Sequence, residues 1–154
     1  MNRTSCVLAE FYKEASWETV KFCVSQLRDQ NWIPIIAHAE RYEALQNRME
    51  AIDWLREHGC LIQLNVYSLE QTQPEHSRNW ARRLVAEQKA DFLGTDMHGT
   101  GIRMPSITQG LLWLEETCDP EYLDALLWKN AEDKLIKNEN GTCYTERWPN
   151  DGKL

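Results

Sequence analysis

Blocks of helical and strand-like hydrophobic pattern alternate along the chain. Apolar residues recur at helical spacing in three stretches, which predicts helices at 17–30, 49–58 and 77–88. Short apolar runs between and beside them predict buried strands at 5–11, 33–37, 60–66 and 91–95. Further helices are predicted at 107–117, 121–128 and 131–137, whereas residues 139–154 have no clear period and are predicted to form a loose tail.

This alternation predicts the fold class. Strands that alternate with helices through short connections form right-handed β/α units on a parallel sheet, so we expect an α/β domain over residues 1–138. The pattern contains four such units. A closed β/α barrel takes about eight, so four units are too few to close one.

Polar side chains stand at or just beyond the carboxyl end of every predicted strand, namely Glu10, His38, Asn65, Asp96 and His98. Parallel α/β sheets place their chemistry at this edge. Carboxylates and imidazoles without thiolates suit Mn²⁺, Fe²⁺ or Zn²⁺. Taken singly, Glu10 fits a solvated loop, His38 a hydrogen-bonded structural histidine, and Asn65 a turn residue with a minor supporting role. The agreement of three strand ends favours a metal site.

Two arginines add a second signal. Arg41 follows His38 by three residues, and Arg103 lies in the loop beyond the fourth strand. Guanidinium groups stay charged and bind phosphate oxygens in a forked geometry, so two of them beside a metal site predict a phosphate-bearing substrate. The alternative is that either arginine pairs with a nearby carboxylate such as Glu40 or Glu43.

Composition and charge exclude several classes. The net charge is −7 with no basic run, so nucleic acid is a poor partner. No stretch of the sequence approaches the roughly 20 apolar residues that a membrane span needs. The five cysteines are widely spaced without a C-x-x-C pair, which predicts thiols in a reducing cytoplasm.

Four segments resemble a known family: LAEF at 8–11, PIIAHAERY at 34–42, LIQLN at 61–65 and GTDMHGTGIRMP at 94–105. They are similar in order and spacing to the bacterial metal-dependent protein-tyrosine phosphatases of capsule and exopolysaccharide operons. These phosphatases belong to the polymerase-and-histidinol-phosphatase (PHP) superfamily. One mild departure is Ala39, which stands where the family usually has proline.

The resemblance implies a distorted β/α barrel with a cluster of Mn²⁺-type ions, for which Fe²⁺, Zn²⁺ and Mg²⁺ are alternatives. It implies removal of phosphate from tyrosines of the kinase that regulates polysaccharide polymerisation. It also assigns metal-ligand roles to Glu10, His38, Asp96 and His98, and phosphate-binding roles to Arg41 and Arg103.

The main departure from the family is the lack of a His-x-His pair, with which the family domain begins. The resemblance therefore covers the C-terminal part of that domain, and we expect a partial barrel whose N-terminal units are missing. Exposed sheet edges predict self-association. Two other functions stay open: a catalytically impaired remnant that binds metal or protein, and a PHP phosphoesterase acting on a small sugar phosphate or nucleotide.

Overall fold

A four-stranded parallel sheet forms the centre of the protein in this computed structural model, which describes residues 5–96 and 107–136. Its strands are β1 (Cys6–Ala9), β2 (Ile33–Ile36), β3 (Leu61–Asn65) and β4 (Phe92–Gly94). They lie side by side in the order in which they occur in the sequence, each parallel to the next. The predicted α/β class with a parallel sheet is confirmed.

Helices lie in the stretches where the hydrophobic period predicted them, and the first three connect successive strands. They are α1 (Trp17–Asp29), α2 (Met49–Glu57), α3 (Glu75–Ala86), α4 (Thr108–Thr117) and α5 (Pro120–Asp124). Helix α1 begins where the Ser16 hydroxyl accepts a hydrogen bond from the Thr19 amide (3.2 Å). Helix α2 ends before Gly59, whose φ of 75° is the left-handed conformation that favours glycine at this position.

The predicted helices at 121–128 and 131–137 differ in form from the expectation. The chain continues from α5 into two π-helical stretches, Ala125–Lys129 and Glu132–Ile136. Short 3₁₀ turns also follow two strands, Ala39–Arg41 after β2 and Val66–Leu69 after β3. Both 3₁₀ turns contribute to the candidate site described below.

The core lies between the sheet and the helices that cover it. From the helices it takes apolar residues with at most 1% of their surface exposed, including Val20, Val24, Ile52, Leu55, Trp80 and Leu84. From the sheet it takes Ile36, Ile62 and Leu64, which are fully buried. Each fully buried aliphatic side chain contributes about 1.5–3 kcal/mol. This packing fixes the strands and therefore the positions of their carboxyl ends.

The buried carboxylate of Asp91 anchors the C-terminal helical segment at the amino end of β4. Its Oδ2 accepts hydrogen bonds from the Ile62 amide (2.8 Å) and Arg56 (2.9 Å), and its Oδ1 accepts one from Lys134 (3.2 Å). The Asn130 side chain donates to the Asp91 carbonyl (2.8 Å). These contacts tie the π-helical region to β3 and β4.

Two sequence predictions concern the ends of the chain and membranes. Among the described residues, no helix has the length and apolar character needed to cross a membrane. The predicted domain boundary at 138 and the loose tail at 139–154 lie outside the described residues and stay predictions.

Candidate functional site

The carboxyl ends of β1 and β2 place Glu10 beside His38. Because Ala9 lies opposite Ile36 in the parallel pair, the residues that follow the two strands are neighbours. The His38 Nε2 atom lies 3.5 Å from the Glu10 Oε1 atom. The imidazole is 15% exposed and the carboxylate 58% exposed, so the pair faces solvent from the Glu10 side.

The backbone turns sharply at His38. Its φ of 36° and ψ of 49° are left-handed, a conformation that few residues other than glycine adopt. The His38 amide donates a hydrogen bond to the Gln63 Oε1 atom (2.7 Å). The imidazole lies against the ring of Tyr42, with 5.5 Å between ring centroids. Its Nδ1 atom is buried and has no hydrogen-bond partner among the residues that the structure describes.

The geometry of Glu10 and His38 fits a divalent metal ion held by the pair. The two atoms are 3.5 Å apart, close enough for both to bind one divalent ion. Within residues 5–96 and 107–136, no group of three or more His, Cys, Asp or Glu side chains is arranged to hold a metal.

The third predicted ligand in the described residues, Asp96, contacts an arginine. The Asp96 Oδ2 atom accepts hydrogen bonds from Arg41 Nη1 (2.9 Å) and from the Asn65 side-chain amide (3.3 Å). Arg41 therefore does pair with a carboxylate, but with neither of the two considered from the sequence. Of those, Glu43 contacts Lys13 (3.5 Å) and Glu40 is buried.

Glu40 is a functional candidate that the sequence reasoning considered only as a partner for Arg41. It is 2% exposed, and its Oε1 accepts hydrogen bonds from the Ser68 hydroxyl (2.6 Å) and the backbone amide of Asn65 (3.4 Å). Burial raises the pKa of Glu40 from 4.5 to about 7, although these hydrogen bonds and Arg41 act in the opposite direction. The local sequence carries no signal for its burial, because Glu40 stands between Ala39 and the charged Arg41.

Two polar side chains on the same face of β3 were also underestimated. Gln63 and Asn65 alternate with apolar neighbours along the predicted strand 60–66, and the sequence indicates only a minor supporting role, for Asn65. In the structure, Gln63 Nε2 donates to Asn65 Oδ1 (3.1 Å), so the two side chains are joined. Their spacing of two residues was the available signal, because alternate residues of a strand share a face.

Tyr42 joins the loops that follow β1 and β2. Its hydroxyl oxygen accepts a hydrogen bond from the Phe11 amide (3.1 Å), and the two rings meet edge to face at 5.5 Å. Burial raises the pKa of Tyr42 to about 12, so the hydroxyl stays protonated at neutral pH. The Glu43 amide also donates to the Lys13 carbonyl (3.0 Å), and these contacts keep Glu10 and His38 on adjacent loops.

The remaining predicted site residues, His98 and Arg103, lie outside the described residues. The structure therefore brings Glu10 and His38 together as one pair and Arg41 and Asp96 together as another. Both pairs stand at the carboxyl edge of the sheet. Two other histidines, His58 and His76, are exposed.

Curated proteins similar to this chain are tyrosine-protein phosphatases. CpsB from Streptococcus agalactiae serotype V is 27% identical over 143 residues, which are 90% of this chain and 58% of that protein. YwqE from Bacillus subtilis is 27% identical over 139 residues, which are 90% of this chain and 54% of that protein. The chain thus spans a little over half the length of these relatives.

A solved structure also matches the fold. It comes from crystallographic work on YwqE from Bacillus subtilis and CpsB from Streptococcus pneumoniae, called there unique metal-dependent tyrosine phosphatases. The TM-score is 0.67 at 24% sequence identity, over 78% of this chain and 49% of that one. A sequence profile of the family described as "Capsular polysaccharide synthesis, CpsB/CapC" matches residues 1–137 of the 154. The chain belongs to the CpsB/CapC family of capsular polysaccharide synthesis proteins.

Proposed function

We propose that this protein is a metal-dependent phosphatase that removes phosphate from tyrosine residues of a protein. The proposed substrate is a bacterial tyrosine kinase that regulates capsule or exopolysaccharide synthesis. The observation that carries the proposal is the Glu10–His38 pair beside the Arg41–Asp96 pair at one edge of a parallel sheet. The names of the relatives support the same reaction. A cytoplasmic location stays a prediction from the spacing of the cysteines.

The proposed architecture is part of a distorted β/α barrel. Strands in a β/α barrel follow one another around the sheet in sequence order, whereas a doubly wound sheet reverses its order at a switch point. The order β1-β2-β3-β4 supports the barrel arrangement. In a barrel, the carboxyl ends of the strands form the active face, which is where the two residue pairs lie.

The proposed metal ligands are Glu10, His38, Asp96 and His98, and Mn²⁺ is the metal that we expect. A bound divalent ion would stabilise charge on a phosphoryl group. It would also lower the pKa of a water molecule bound to it towards neutral pH. His38 offers an imidazole whose position is fixed by its backbone hydrogen bond and by the Tyr42 ring. Glu10 offers an exposed carboxylate that a metal ion can approach from solvent.

Arg41 is the proposed phosphate-binding residue, together with Arg103. The Arg41 side chain is 46% exposed, and Asp96 holds it through Nη1. A guanidinium fixed in this way keeps its forked geometry for two phosphoryl oxygens at a small entropic cost. Charge that develops on those oxygens in the transition state is stabilised by a cation already in position.

Hydrolysis of an aryl phosphate tests the proposed reaction. We expect turnover of p-nitrophenyl phosphate and of a phosphotyrosine peptide that depends on added Mn²⁺ and is abolished by a chelator. His38→Ala should lose at least 100-fold in kcat/KM, whereas the matched control His76→Ala, an exposed histidine on α3, should keep it. Equal activity in both variants, or no turnover by the unmodified chain, would contradict the proposal.

A second candidate function is a non-catalytic metal-binding or protein-binding module. The observation that favours it is that the described residues contain no three-ligand metal group. This candidate predicts at most one metal ion per chain and no turnover. The hydrolysis assay therefore separates it from the phosphatase, because only the phosphatase predicts a rate that depends on both Mn²⁺ and His38.

A further inference from the structure

The backbone amide of His38 is bonded to a side chain where the sheet ends. Strand β2 ends at Ile36, and the left-handed turn at His38 directs the chain out of the sheet. A partly buried amide that loses its strand partner is stabilised by another acceptor. The Gln63 Oε1 atom, on the neighbouring strand β3, is that acceptor at 2.7 Å. Gln63 therefore stabilises a backbone conformation that is otherwise strained for histidine.

The other end of the Gln63 side chain extends the contact to β4. Gln63 Nε2 donates to Asn65 Oδ1 (3.1 Å), and Asn65 Nδ2 donates to Asp96 Oδ2 (3.3 Å). Arg41 donates to the same Asp96 oxygen (2.9 Å) and is three residues from His38 on the same loop. The hydrogen bonds and the loop thus form a closed ring that joins the ends of β2, β3 and β4.

Gly94 leaves room for this ring. It lies opposite Asn65 in the β3–β4 pair. A Cβ atom added to Gly94 would stand 2.8 Å from Gln63 Nε2, closer than real Cβ atoms approach such atoms. The Gln63 carboxamide therefore occupies the space that a side chain at position 94 would take. This gives a way to displace Gln63 without changing it.

We propose that Gln63 is a positioning residue that fixes His38 relative to Asp96 and Arg41 through this ring. The positioning of His38 does not depend on the proposed function. Its expected consequence, a higher affinity of the site for metal, rests on the proposed function. Groups that orient metal ligands from outside typically contribute 10- to 100-fold to metal affinity. Gln63 would orient His38 by accepting a hydrogen bond from its backbone amide, and Asp96 through its hydrogen bond to Asn65.

Amide hydrogen exchange followed by NMR on the metal-free chain tests the positioning directly. In Gln63→Met the carboxamide is lost, so the exchange rate of the His38 amide should rise at least 10-fold. In Gln63→Glu the acceptor is kept, whereas the donor to the Leu64 carbonyl (2.7 Å) and to Asn65 Oδ1 (3.1 Å) is lost, so the rate should rise less than in Gln63→Met. Gln26→Met, an exposed position on α1, should leave it unchanged. A protected His38 amide in a folded Gln63→Met variant would overturn the proposal.

Gly94→Ala provides the independent perturbation. The added methyl group displaces the Gln63 carboxamide, so the His38 amide should again exchange at least 3-fold faster. Should Gln63→Met fail to fold, Gly94→Ala decides the question alone: accelerated exchange supports the positioning role and an unchanged rate refutes it.

Calorimetric titration with Mn²⁺ then tests the consequence for the metal site. We expect the dissociation constant to rise at least 10-fold in Gln63→Met and to stay unchanged in Gln26→Met. Accelerated His38 exchange with unaltered Mn²⁺ affinity would refute the role of Gln63 in positioning metal ligands. No binding of Mn²⁺ by the unmodified chain would refute the proposed function, and the exchange data would still decide whether Gln63 fixes His38.

Discussion

Replacing Glu40 by glutamine should make the stability of the protein less dependent on pH. Glu40 is buried with one carboxylate oxygen lacking a hydrogen-bond partner among the described residues, so its ionisation is unfavourable in the folded state. Its folded pKa of about 7 lies above the ordinary value of 4.5. The folded protein therefore binds the Glu40 proton more tightly than the unfolded chain does. Stability from this group is fully present below pH 4.5 and is lost as the pH rises through 7.

The size of the effect follows from the two pKa values. A difference of one pKa unit corresponds to about 1.36 kcal/mol, so the full shift corresponds to about 3.4 kcal/mol. Part of this free-energy change takes place below pH 5 and part above pH 8. Integration of the proton linkage between pH 5 and pH 8 gives about 2.5 kcal/mol. Glu40→Gln keeps the acceptor for Ser68 and has no proton to lose, so its stability should not show this decrease between pH 5 and pH 8.

Urea unfolding of the metal-free protein at pH 5, 6, 7 and 8 measures the difference. Subtracting the two stability curves cancels every other titrating group. We expect the stability of Glu40→Gln relative to the unmodified protein to increase by about 2.5 kcal/mol between pH 5 and pH 8. Parallel curves would refute the conclusion that burial raises the pKa of Glu40. A change in the opposite direction would show that its ionised form is stabilised in the fold.

Three further predictions concern other parts of the structure. Arg41→Lys should lower kcat/KM for an aryl phosphate at least 10-fold with unchanged Mn²⁺ content, because lysine lacks the forked geometry; an unaltered rate would contradict this. Asp91→Asn should destabilise the chain by about 2 kcal/mol in urea unfolding, since Arg56 and Lys134 lose a buried anion. The control Asp53→Asn should cost less than about 1 kcal/mol. Sedimentation velocity should show concentration-dependent self-association through the exposed sheet edges, and a monomer at all concentrations would refute it.

The fold was largely predictable because hydrophobic periodicity reports burial. The helical spacing around Val20 and Val24 and the apolar run at 33–37 each correspond to a buried face. The π-helical turns after Asp124 could not be predicted, because an apolar period close to 3.6 does not distinguish them from an α-helix. Their position coincides with contacts to Asp91, which are tertiary interactions.

The candidate site was predictable in its residues more than in its contacts. Strand ends identified Glu10 and His38 as neighbours, because parallel strands bring their carboxyl ends to one edge. The contact between Arg41 and Asp96 joins residues that are 55 positions apart, and no local pattern specifies it. Gln63 was assigned to the strand alone, since the need for an acceptor arises from the left-handed turn at His38, which is visible only in the structure.

The central claim is that His38 belongs to a metal site, and native mass spectrometry of the Mn²⁺-loaded chain tests it most directly. The measurement compares the number of bound ions in the unmodified chain, in His38→Ala and in the exposed control His76→Ala. We expect at least one Mn²⁺ ion per chain in the unmodified protein and in the control. In His38→Ala we expect fewer bound Mn²⁺ ions per chain. Equal Mn²⁺ content in all three proteins, or none in any, would contradict the claim.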